Sequence, residues 1–237
     1  MNRILLMVLR NIFRVGPMYM QLSHYAKHTD AYSYEEKWTH IHKMMGYAVR
    51  SGNIDLQVYG KENLPQEDGM LFYGNHQGMF DVLALASDCE RPLGAVLKKE
   101  LANVPLLRQI RECTKSYAMD REDVRQSLTV IKGVTEEVAN GRNFLIFPEG
   151  TRSKKGNVMG EFHPGSFRAA LKSKKPVVPL CFIDSFKVLD QKGSKMVSVQ
   201  MHYLKPICYE EYKDMKTNEL ADLVKARIQE TLDAYAK

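Results

Sequence analysis

His76 and Asp81 are the residues whose types and spacing most directly suggest chemistry. They lie in Gly74-Asn75-His76-Gln77-Gly78-Met79-Phe80-Asp81, just after the apolar run 70–73. Within one continuous helix, five positions separate two side chains by ~140° around the axis. The pair can meet only with His76 in a loop and Asp81 in the first turn of the next helix, which Gly74 and Gly78 permit. There the carboxylate would bind one imidazole nitrogen, fix the tautomer and stabilise the imidazolium as the other nitrogen takes a proton. A histidine after a strand also serves purely structural ends, so the pair alone does not decide for catalysis.

A second polar loop, Phe147-Pro148-Glu149-Gly150-Thr151-Arg152-Ser153, follows another apolar run. Pro148 and Gly150 stop either regular element from continuing. Arg152 offers a planar fork suited to phosphate, and backbone N–H groups near Gly150 can join it; a surface turn with a solvated arginine is the plainer alternative. Lys98-Lys99-Glu100-Leu101, with Pro105, follows a third run and reads either as a further phosphate contact or as a charged helix start.

The elements that must position these loops alternate. Strands are expected at 54–59, 70–73, 93–97, 115–119, 144–147, 177–183 and 196–203, and helices at 80–87, 101–111, 121–140, 166–172 and 218–236. Short continuous apolar strands between helices predict an α/β fold, a largely parallel central sheet with helices on both faces. In such sheets ligands bind beyond the carboxyl ends of strands, where the polar loops should converge.

Residues 1–52 have a different character and are taken as an N-terminal helical hairpin, with 53–237 as the main domain. Ser33 and Glu36 have capping-box spacing for a helix over 34–49. The first helix carries Leu5, Leu6, Leu9, Ile12 and Phe13 on one side, with Arg3, Arg10 and Arg14 available to lipid headgroups. Its apolar run is too short to span a bilayer, which takes about 20 largely uncharged residues. The pattern fits a helix lying in the membrane interface, with a helix docked on the protein's own core as the alternative; the chain's basic charge tips the reading toward the membrane. The chain's 34 Lys and Arg against 28 Asp and Glu give +6, favouring anionic partners. Nucleic acid is disfavoured, because the cations are dispersed and no stacking platform accompanies them. Cys89, Cys113, Cys181 and Cys208 lack the spacing of a zinc site or disulfide framework and read as reduced thiols of an intracellular protein.

Over residues 50–205 the chain resembles the glycerolipid acyltransferases, in particular bacterial 1-acyl-glycerol-3-phosphate acyltransferases. The resemblance rests on four motifs in the family's order. They are Asn75-His76-x4-Asp81, Lys98-Lys99-Glu100-Leu101…Pro105 continuing to Asp120-Arg121…Arg125, Phe147 through Ser153, and Val178-Pro179. It implies His76 as the general base and Asp81 as its orienting partner. Glu149, Gly150, Thr151 and Arg152 would form the acceptor-binding loop with Arg152 on the phosphate, and Lys99 would be a further phosphate contact. The implied reaction moves a fatty acyl group from acyl-CoA or acyl carrier protein to the sn-2 hydroxyl of lysophosphatidic acid, giving phosphatidic acid. It uses no metal and no cofactor beyond the donor. The implied setting is an anionic membrane surface at the cytoplasmic face, with peripheral attachment through the N-terminal helices. The chain departs from the family's pattern at Leu107-Arg108, where many members carry glycine, and at His163, where lysine is expected.

A thioester is already activated, so direct attack by the hydroxyl needs no covalent enzyme intermediate. No G-x-S-x-G elbow is present, which weighs against a serine hydrolase. Glycerol 3-phosphate or another lysolipid as acceptor, and a non-catalytic basic membrane-binding protein, remain the alternatives.

Overall fold

A computed structural model describes residues 2–236. Seven strands form one sheet in the order β1-β7-β6-β2-β5-β3-β4: β1 (Ile54–Tyr59), β2 (Leu71–Gly74), β3 (Leu93–Lys98), β4 (Tyr117–Met119), β5 (Asn143–Ile146), β6 (Val177–Ile183) and β7 (Val197–Tyr203). Strands β2 to β6 run the same way. The β6–β7 pairing is antiparallel, and β1 lies parallel to β7. The expectation of a largely parallel sheet therefore holds with one reversal. At that reversal the start of β1 falls on the edge where β2 to β6 end.

Ten α-helices are described: α1 (Arg3–Arg10), α2 (Ile12–Lys27), α3 (Tyr34–Ser51), α4 (Phe80–Asp88), α5 (Leu107–Thr114), α6 (Val124–Ala139), α7 (Arg168–Ser173), α8 (Phe186–Leu189), α9 (Tyr209–Tyr212) and α10 (Thr217–Tyr235). Side chains alternate across the strands because the strand repeat is two residues. Phe72, Leu145, Val178, Leu180 and Phe182 face one apolar core with Trp38, Ile41, Phe80 and Leu85. Leu71, Tyr73, Phe144, Ile146 and Cys181 face the other, closed by Val134, Val224 and Ile228. Both faces are covered, as a parallel sheet requires.

The N-terminal segment holds three helices rather than two. Asn11 interrupts the first, its amide bonding Met7 O and Ser51 Oγ. The hairpin is formed by α2 and α3 through a 3-10 turn, Thr29–Ala31. Ser33 and Glu36 cap α3 reciprocally at 3.1 and 2.8 Å. Met7, Leu22, Trp38, Ile41 and Val49 share the first core with the sheet.

Two expectations about α1 are corrected. Arg3 is 3% exposed and donates to the carbonyls of Val188, Gly52, Asn53 and Lys195, so it is not available to headgroups. Leu6 is buried instead of facing outward. Ile4, Leu5, Leu9, Ile12 and especially Phe13, 91% exposed, form the outward apolar side. The helix expected over 101–111 begins only at Leu107. Pro105 bars Val104 from helical geometry, and Leu106 adopts φ +72° before the chain turns into α5. Helix α6 starts at Val124 rather than 121, where Asp123 caps the N–H groups of Arg125 and Gln126 at 2.9 and 3.0 Å.

Candidate active site

The strand-end loops converge as their positions require. Asn75 anchors the first loop to β6, donating to Phe182 O at 2.9 Å and accepting from Phe182 N at 2.8 Å. The chain then turns into α4, whose first turn carries Asp81. His76 Nδ1 lies 2.7 Å from Asp81 Oδ2, although the two would diverge on a continuous helix. Asp81 is fully buried. Its Oδ2 also accepts from the N–H groups of Gln77 and Gly78, at 2.7 and 3.0 Å, and its Oδ1 accepts from Ser185 Oγ. A buried carboxylate with this many donors is held in place. With Nδ1 engaged, Nε2 is the nitrogen left for a reacting group. The ring stacks on Phe147 at 4.0 Å and keeps 17% of its side chain exposed.

Glu149 ties the two loops together. Its Oε1 accepts from His76 N at 2.6 Å and its Oε2 from Gly160 N at 2.7 Å. Burial pushes the Glu149 carboxyl above its ordinary pKa, and the two backbone donors oppose that rise. Ser153 N donates to His76 O at 2.9 Å, a second tie between the loops. Gly150 has φ +66°, a left-handed conformation that glycine adopts without steric cost. A Cβ there would meet the His163 ring at 3.2 Å and lie 3.9 Å from Arg121 Nε.

The other expected site residues are placed less directly. Thr151 is exposed. Arg152 forms an ion pair with Asp190, which also accepts from Met79 N at 3.2 Å. Lys99 is exposed at the end of β3 and bonds Asp120 at 2.5 Å, while Lys98 pairs with Glu100 at 2.8 Å. None of these three cations touches His76 in the described contacts. Arg121, one residue beyond Asp120, is the cation that lies against Gly150. It has no hydrogen-bond partner among the described residues.

Sequence reasoning assigned no individual role to Arg121, Ser185, Asp190 or Gln77. A usable signal existed for Arg121, which follows the β4 run and sits within the second motif. Ser185 and Asp190 carried none, because β6 must end at the site's edge before the turn after it can matter.

A histidine backed by a buried carboxylate at the carboxyl edge of a largely parallel sheet can take a proton from a hydroxyl. That defines a class of transfer chemistry. A family model described as Acyltransferase matches residues 55–183, and the chain belongs to that family. It is 29% identical over 187 residues to the 1-acyl-sn-glycerol-3-phosphate acyltransferase of Saccharomyces cerevisiae, covering 76% of this chain and 60% of that one. To the protein of the same description from Salmonella typhimurium it is 30% identical over 165 residues, 68% of this chain and 66% of that one. The chain thus spans about two thirds or less of these relatives' lengths. The crystal structure of the 1-acyl-sn-glycerophosphate (LPA) acyltransferase PlsC from Thermotoga maritima matches with a TM-score of 0.72 at 20% identity. That match covers 98% of this chain and 96% of the other, and speaks for the fold.

Proposed function

We propose that this chain transfers a fatty acyl group from acyl-CoA or acyl carrier protein to the sn-2 hydroxyl of 1-acyl-sn-glycerol 3-phosphate. The observation that carries the reading is the 2.7 Å contact of His76 Nδ1 with a buried, multiply bonded Asp81. His76 Nε2 accepts the proton of the acceptor hydroxyl as its oxygen attacks the thioester carbonyl. Asp81 stabilises the imidazolium, the tetrahedral intermediate collapses, and the proton passes to the departing thiolate. The products are the ester and the free thiol, with no covalent enzyme intermediate, metal or further cofactor in the scheme. A positioned base of this kind contributes roughly 10²–10⁴-fold.

Arg152 and Arg121 are the proposed phosphate contacts, with Gly150 giving backbone access between them. The ion pair with Asp190 keeps Arg152 at the site's rim until an anionic acceptor arrives. Lys99 is a more distant contribution, since Asp120 already engages it. Glu149 acts by joining the loops, and Thr151 lies in the acceptor turn.

The accompanying localisation is peripheral attachment to the cytoplasmic face of an anionic membrane. It is supported by the outward apolar side of α1 and the net charge of +6. No helix among the described residues is long and apolar enough to cross a membrane.

The test is a matrix of the wild type and His76→Ala against lysophosphatidic acid and glycerol 3-phosphate, each with both donors. Transfer to lysophosphatidic acid by the wild type, lost in the variant, is expected. Preference for glycerol 3-phosphate would move the acceptor assignment, and no transfer in any cell of the matrix would refute the reading.

A further inference from the structure

We infer that Ser185 is a positioning residue for the acyl transfer proposed above, fixing the carboxylate of Asp81 behind His76; this rests on that reading. Ser185 is fully buried and lies just beyond the carboxyl end of β6. Its hydroxyl donates to Asp81 Oδ1, while His76 Nδ1 and the N–H groups of Gln77 and Gly78 occupy Oδ2. The Oγ also lies 3.2 Å from Gln77 Oε1, but it carries one proton, and the charged acceptor takes it. Without this hydroxyl, Oδ1 has no partner among the described residues. The carboxylate would then be free to rotate and carry Oδ2 off the imidazole.

The serine is itself held from three segments of chain. Its N–H donates to Gln77 Oε1 at 3.0 Å, and Gln77 Nε2 donates to Asn157 Oδ1 at 2.7 Å. That same Asn157 oxygen accepts from Asp184 N at 2.9 Å, and Asn157 Nδ2 donates to Asp184 Oδ1 at 3.0 Å. Asp184 has φ +64°, an uncommon conformation for a residue with a side chain. A ring through Asp81, Ser185, Gln77, Asn157 and Asp184 thus joins the β2 loop, the β5 loop and the turn after β6. A serine that merely filled space would not need this support from both sides.

Two readouts separate positioning from simple stability: the pH dependence of kcat, and the pH midpoint of diethyl pyrocarbonate modification at His76, followed on its own peptide by mass spectrometry. A carboxylate that has turned away from the ring stabilises the imidazolium less, so the imidazole gives up its proton at lower pH. In Ser185→Ala the acid limb of kcat and the His76 midpoint should both fall, on the order of half a pH unit. The rate constant should fall roughly 10-fold with KM for both substrates unchanged. Ser185→Cys, close in volume but a weaker donor, should fall between, and it carries the test if the alanine variant does not fold. Unmoved midpoints in the variants, with any loss of activity matched only by loss of thermal stability, would overturn the inference. If the wild type transfers no acyl group, the functional reading fails, yet the His76 midpoint still decides the role of Ser185.

Discussion

The N-terminal helix α1 and the strand-end loops meet at one edge of the sheet, and they distribute charge in opposite ways. In α1 one cation turns inward: Arg3 serves four backbone carbonyls, leaving Arg10 outside with Ile4, Leu5 and Leu9, next to Phe13 at the start of α2. In the loops the anions turn inward: Asp81 and Glu149 collect backbone N–H groups, leaving Arg121, Arg152 and Lys99 outside. The physical rule is the same in both, because a buried charge must be hydrogen-bonded. What differs is the surface left over, largely apolar in one place and cationic in the other. Under the function proposed above, an amphiphile with a phosphate headgroup would use both surfaces at once.

The largest effect expected is at the inward pair. His76→Ala should lower kcat by roughly 10²–10⁴-fold with KM little changed, measured with saturating donor. A small loss would place the chemistry elsewhere. At the outward cations the split should reverse. Arg121→Ala and Arg152→Ala should each raise KM for a phosphate-bearing acceptor by about 10–100-fold, the worth of a hydrogen bond to a charged group, while kcat holds. If only Arg152→Ala does so, Arg121 is a bystander at the Gly150 turn.

At the start of α2, Phe13→Asp should weaken partitioning onto anionic vesicles by about 10-fold or more, with turnover of a dispersed short-chain acceptor retained. Arg3→Gln should do the contrary, lowering Tm by several degrees with vesicle binding by the folded fraction intact. Equal vesicle binding by Phe13→Asp and the wild type would remove the apolar surface from the account.

The smallest effect concerns Glu149. Burial raises its folded-state pKa, so its contribution to stability is greatest at low pH and declines as pH rises through that raised value. The Tm difference between the wild type and Glu149→Gln should therefore favour the wild type more at pH 4.5 than at pH 7, by about 1–3 °C. A difference larger at neutral pH would contradict the assigned direction.

Much of this was legible in the residues, for identifiable reasons. Runs of four to eight residues rich in apolar side chains placed all seven strands to within two residues, and for β2, β5 and β6, buried along their whole length, that apolar signature is continuous. His76 and Asp81 could be paired before any coordinates, since a loop followed by a helix start is a local matter. Ser33 and Glu36 marked the start of α3 for the same reason. Helix α5 was misjudged because Pro105 and Leu106 impose a turn that apolar periodicity does not register.

The amino-acid order by itself determined the elements, the motif loops and the sign of the charges near them, all set by neighbours a few positions apart. Only the tertiary structure decided which charges were absorbed and which remained outside. Arg3 finds its carbonyls 49 to 192 positions away, and Asp81 its serine 104 positions away. Partners at such distances are chosen by how the sheet is assembled, and no local pattern of residues records that choice.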